Sequence, residues 1–124
     1  MCLIKRAQQG LRGILAILTL ASLFILTSCT WYNNAILDNK DQTLPCGQLP
    51  TEQEVAKVLT DHQDVVKRIL AVNPGQVFVD VDTITCPSHA SIEISYAAHR
   101  DRVAIEEIIA ADMFFGVPYQ LRNR

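Results

Sequence analysis

The chain has 124 residues, enough for one domain and little more. Its formal net charge of −2 is unevenly spread: Lys5, Arg6 and Arg12 are the only charged residues before Asp38, and all 13 acidic residues come at or after Asp38. From Cys29 onward the balance is −5 (8 − 13), which gives no basic footprint for nucleic acid and sets that part weakly against an anionic membrane surface.

Residues 1–12 form a basic start, and residues 14–26 are almost wholly apolar, from Ile14 to Leu26. These 13 residues are short of the roughly 20 that a membrane-spanning helix needs. Small residues Thr27 and Ser28 follow, then Cys29. This is the three-part layout of a secretory signal, so residues 1–28 are expected to leave before the protein folds. An uncleaved membrane helix starting near Arg12 and an ordinary cleaved signal with an incidental cysteine are the alternatives. The end of the segment, Leu26-Thr27-Ser28-Cys29, resembles the lipobox of bacterial lipoproteins. The resemblance covers only this stretch. It implies that the Cys29 thiol receives a diacylglycerol and that cleavage leaves Cys29 as the first mature residue. Two acyl chains hold a protein stably at a membrane where one holds it marginally. The resemblance thus implies a lipid-anchored protein of the bacterial cell envelope. With Thr30 rather than aspartate after the cysteine, it points to the periplasmic side of the outer membrane in a Gram-negative cell.

Residues 29–50 are expected to be a lipidated tether. Asn33, Asn34, Asp38, Asn39, Pro45, Gly47 and Pro50 interrupt any apolar period, which is a loop composition. If Cys2 leaves with the signal and Cys29 carries lipid, Cys46 and Cys86 remain. An even pair in an exported protein suggests a disulfide. Free thiols and a metal site are the alternatives.

The folded domain is expected over residues 51–124. Thr51-Glu52-Gln53-Glu54 fits a capping box. Val55, Val58, Leu59, Val65, Val66, Ile69 and Leu70 then recur at helical spacing, until Asn73-Pro74-Gly75 stops the helix. Val77, Val79 and Val81 alternate with Phe78, Asp80 and Asp82 as a strand, and Ile92, Ile94 and Tyr96 alternate as a second. A helix from about His99 to Asp112 follows, with Ile105, Ile108, Ile109, Val103 and Met113 as its apolar face and Asp101 as a candidate cap. Phe114 to Leu121 reads as a last strand, kept to an edge or kept short by Pro118. The fold class is therefore α+β: a small two-layer sandwich in the order α-β-β-α-β, with two helices on one face of a three-stranded sheet. A crossover through the second helix makes the last strand parallel to the second, with sheet order 2-1-3 expected. Small domains with this element order recur in bacterial envelope assemblies, a likeness of order alone.

No phosphate loop, dinucleotide fingerprint, zinc-protease motif or nucleophile elbow is present, and no metal or other cofactor is expected. The reading is a non-enzymatic envelope lipoprotein whose domain binds a protein partner or assembles with itself, through a surface including Phe114, Phe115 and Tyr119. Adjacent phenylalanines on a strand cannot both face one core. The competing reading is a small-ligand or metal-binding domain, with hydrolytic activity a further option, using Asp80, Asp82, His89 or His99. Cys86 and His89 have a spacing that zinc sites use, but no fourth ligand is evident. His62 reads as a histidine at the core's edge.

Overall fold

The computed structural model describes residues 31–124, so the expected targeting segment 1–28 and Cys29 lie outside it. Leu37–Arg124 form one compact unit, and residues 31–36 belong to a separate one. Among the described residues no helix is long and apolar enough to cross a membrane.

The domain is α+β. In chain order it has a 3-10 turn at Cys46–Gln48, helix α1 (Glu52–Asp61), helix α2 (Gln63–Leu70), strand β1 (Phe78–Asp82), strand β2 (Ser91–Tyr96), helix α3 (His99–Ile109), strand β3 (Met113–Phe114) and strand β4 (Val117–Asn123). The capping box at Thr51 is closed: the Thr51 amide donates to Glu54 Oε2 at 2.8 Å, and the Glu54 amide donates to Thr51 Oγ1. The single first helix expected from the apolar period is instead two, separated at His62, whose φ of −116° and ψ of 36° leave helical space. Just before the break, Thr60 Oγ1 donates back to the Ala56 carbonyl at 2.9 Å, a bond that bends helices. The apolar period survives because Val55 and Ile69 are both buried, one from each half.

The sheet has four strands in the order β1-β2-β4-β3. β1 and β2 pair antiparallel, with Val79 opposite Ile94. β4 is parallel to β2, as the crossover through α3 requires, with Ile94 opposite Leu121. The expected order 2-1-3 is corrected: β4 lies on the far edge of β2, not beside β1. β2 is buried along almost its whole length, as a central strand must be, because its second face carries small Ser91 and Ser95. β1 carries Asp80 and Asp82, charges of the kind that keep an edge strand from pairing further. The last expected strand is also two, β3 and β4, joined by a turn at Phe115 and Gly116. Pro118 sits inside β4 without breaking the sheet. It precedes Tyr119, the first β4 residue paired with β2, so its missing N–H takes no bond from that ladder.

The core lies on the sheet face carrying Ile92, Ile94, Tyr96, Tyr119 and Leu121. There Val55, Ile69 and Ile105 arrive from the three helices. Val103 is exposed rather than part of the α3 apolar face, and Met113 belongs to β3. Asp101 does not cap α3: Ala98 holds that position without a side-chain bond. Asp101 is buried in the first turn and accepts from Asn73 Nδ2 at 3.0 Å, tying the helix to the turn after α2.

The largest difference from the sequence reading is the segment read as a tether. From Leu37 it belongs to the folded unit, which thus begins before Thr51. Lys40 pairs antiparallel with Leu121: its amide donates to the Leu121 carbonyl at 3.0 Å, and the Leu121 amide returns the bond at 2.8 Å. The Asn123 amide donates to Asn39 Oδ1 at 2.8 Å. β3 covers only the first residues of β4, and this strap covers the β4 edge that β3 leaves open. At the other end of the strap Cys46 is disulfide-bonded to Cys86, with the two Cα atoms 5.4 Å apart. Leu49 is buried, and the Pro50 carbonyl accepts from the Ala90 amide at 2.8 Å.

Candidate functional site

Three places in the domain gather chemistry, and each holds residues expected from the sequence to matter. The first is the turn between β3 and β4. Phe115 and Gly116 both have positive φ, 49° and 86°, the sign pattern of a type I′ hairpin turn. Glycine adopts this region freely, whereas a bulky side chain there costs about 1–2 kcal/mol. Phe115 is nonetheless held in place. Its ring stacks on His62 with centroids 3.5 Å apart and planes within 5°, and meets Phe114 edge-on at 5.0 Å. The break between α1 and α2 is what presents the His62 ring. Of the three residues expected on a contact surface, two are corrected: Phe114 is 1% exposed and Tyr119 2%, both in the core. Phe115 is 54% exposed, and Met113 beside it is partly exposed. Alternation explains the split, because Phe114 faces the core and the chain reverses at the next residue.

The second is the sheet face opposite the helices. Gln120 Nε2 donates to Asp82 Oδ2 at 2.9 Å and to Glu93 Oε2 at 3.1 Å, while Arg122 Nη2 donates to Gln120 Oε1 at 2.8 Å. Asp82 Oδ1 also accepts the amides of Ile84 and Thr85 at 2.9 and 3.1 Å, which shapes the loop after β1. Burial alone would raise the Asp82 pKa. The bonds from Thr85, Ile84 and Gln120 more than offset it, so the carboxyl is held below its ordinary value. That favours a fixed acceptor over a proton-transfer group. The residues of the competing reading are not brought together. His89 has its ring near the Pro87 carbonyl of its own loop, and His99 bonds to the strap. Among the described residues no group of three or more histidines, cysteines or carboxylates is arranged to hold a metal ion.

The third is the strap itself. Asp38, at a φ of 55°, accepts at Oδ1 from Arg102 Nη1 at 3.0 Å and lies 2.8 Å from His99 Nδ1. The Tyr96 hydroxyl donates to the Asp38 carbonyl. Burial, with the Asp38 charge adding to it, pushes the Tyr96 pKa up to about 12. Farther along, Lys40 Nζ donates to the Tyr119 hydroxyl at 2.9 Å and lies 4.3 Å above its ring centroid. Asp41 pairs with Arg122. A cleft of about 350 Å³ opens here, lined by Lys40, Asp41, Leu44, Asp112, Met113 and Tyr119 among others. The sequence reading missed Asp38, Lys40 and Arg102. Their only advance sign was the expected disulfide, which required Cys46 to lie against the domain. No family model, curated protein or solved structure matches the chain.

Proposed function

We propose that this chain is a lipid-anchored protein of the bacterial cell envelope, whose small domain docks onto a protein partner through the aromatic turn at Phe115. The lipobox-like run ending at Cys29 supports the anchor. The observation that carries the docking role is Phe115, an aromatic ring kept in a costly backbone conformation with half its surface in water. Strain of this kind persists where the surroundings impose it, and it clusters at working sites. Stacking on His62 removes the ring's freedom before a partner arrives, and a pre-ordered aromatic is the usual anchor of a binding hot spot.

The cleft beside the strap is the observation that favours a small ligand instead. Two of its charged groups are already engaged, Lys40 with Tyr119 and Asp41 with Arg122, which leaves the docking role the better supported of the two.

The variant Phe115→Asn separates docking from folding. Asn-Gly is the preferred pair for a type I′ turn. Relief of about 1–2 kcal/mol of strain offsets the stacking that is lost, itself about 0.5–1.5 kcal/mol. The melting temperature should therefore stay within a few degrees of the parent. A photo-crosslinker at position 115 should give one discrete product in intact cells, whose mass identifies the partner or a second copy. The same group at exposed Ile84 should not, and Phe115→Asn should no longer retain that partner on purification. Equal crosslinking from 84 and 115, or retention unaffected by Phe115→Asn, would refute the docking role.

A further inference from the structure

We infer that residues 31–36 form a second membrane contact, an amphipathic turn lying in the bilayer interface beside the lipid. This rests on the proposed anchor at Cys29. Residues 31–35 are helical, and the Ile36 amide closes the turn on the Tyr32 carbonyl at 2.9 Å. At 100° per residue, Trp31, Tyr32, Ala35 and Ile36 fall on one side and Asn33 and Asn34 on the other. Trp31, Tyr32 and Ile36 are each more than half exposed. A soluble segment seldom shows water so much aromatic and aliphatic surface in one turn. Tryptophan and tyrosine favour the headgroup level, where the ring body is apolar and its polar edge stays wet. No charge opposes this, because residues 29–37 contain none.

The occupant is a lipid bilayer rather than a protein because of where the turn sits in the chain. Trp31 is two residues past the candidate lipid-bearing cysteine, and the folded unit starts at Leu37, eight residues past it (37 − 29). Eight residues span at most about 28 Å fully extended. With residues 30–50 as a free tether, the aromatics would have had ample room to hang in solution. With the strap docked from Leu37, this stretch has little slack and stays close to the bilayer. The contact is apolar, so it does not depend on anionic lipid.

Trp31 is the only tryptophan in the chain, so its fluorescence reports this position alone. The test is the full lipoprotein, produced in a lipoprotein-processing host and reconstituted into phosphatidylcholine vesicles, with and without brominated acyl chains. Trp31 emission is expected to shift to shorter wavelength and to be quenched by bromines placed near the headgroups more than by bromines at the chain ends. Aqueous iodide is expected to quench it poorly. Replacing Tyr32 and Ile36 by aspartate is expected to restore the water-exposed emission while the protein still floats with the vesicles. Flotation of the parent protein with Trp31 emission unshifted and open to iodide overturns the interfacial contact alone. Strongest quenching from the chain ends also overturns it, in favour of a buried span. Failure to float overturns the anchor, and this contact with it.

Discussion

Replacing both Cys46 and Cys86 with alanine is expected to cost about 4 kcal/mol of stability, the chain-entropy value for a closed loop of this length. For a domain of this size that is a melting-temperature drop of roughly 15–30 °C. Total stabilities of small domains lie at about 5–15 kcal/mol, so the loss is a large fraction of what holds the fold. The bond does more than shorten the unfolded chain. It fixes the strap at Cys46, and its loss leaves Lys40 and Asn39 on β4, and Asp38 on Arg102, to hold the strap by polar contacts. Hydrogen exchange should show this locally: the Lys40 and Leu121 amides are expected to lose protection before those pairing β1 with β2. Calorimetry with and without reductant gives the global number. A melting temperature indifferent to reductant would show that the disulfide does not hold the strap.

The second large effect is expected at Arg102, whose side chain is only 9% exposed. It donates to Asp38 through Nη1 and reaches Glu106 through Nε at 3.3 Å. Asp38 is itself mostly buried, and its Oδ2 has no hydrogen-bond partner among the described residues. In Arg102→Met the stem keeps its packing while Asp38 retains, among the described residues, the exposed His99 as its cationic neighbour. Removing one partner of a mostly buried pair is costly because the other charge stays behind, and a loss of about 3 kcal/mol is expected. Adding Asp38→Asn should recover most of it, since asparagine tolerates the left-handed backbone and carries no charge. Urea titrations of the four proteins measure both values; a double variant no more stable than Arg102→Met would locate the loss in packing instead.

The same pair contributes to the acid limit. Burial raises the Asp38 pKa, but the hydrogen bonds and charges of His99 and Arg102 outweigh it, so the folded value lies below 3.8. The unfolded chain therefore takes the proton first. The stabilisation from Asp38 is full well above pH 3.8 and fades as the pH falls through the lower, folded value. In Arg102→Met this loss is expected to begin at higher pH.

The elements with strong local signals were legible from the chain. Thr51 and Glu54 carried the helix start, the alternation at Val77–Val81 and Ile92–Tyr96 carried the hairpin, and cysteine number suggested the bridge that the structure contains. What escaped depends on partners far away in sequence. The strap has no apolar period because it docks through single polar side chains, Asp38 onto Arg102 and His99, and one backbone pair with Leu121. The order of the strands turns on which edge of β2 is free, and burial of both faces of β2 appears in sequence only as two serines. The helix break is a local effect at Thr60 that a purely apolar period does not register. At the turn, Phe115 occupies a position where asparagine is the expected residue, so the hairpin was hidden by the same side chain that makes it a candidate site.

Both the proposed partner surface and the inferred interfacial turn presume that lipid on Cys29 brings the domain to the membrane. Metabolic labelling with palmitate in a lipoprotein-processing host tests this most directly. Label is expected on the parent protein at the mass of a chain starting at Cys29, and none on Cys29→Ser, which should also leave the membrane fraction. A parent protein that stays unlabelled, or a Cys29→Ser variant of unchanged size and membrane attachment, would contradict it.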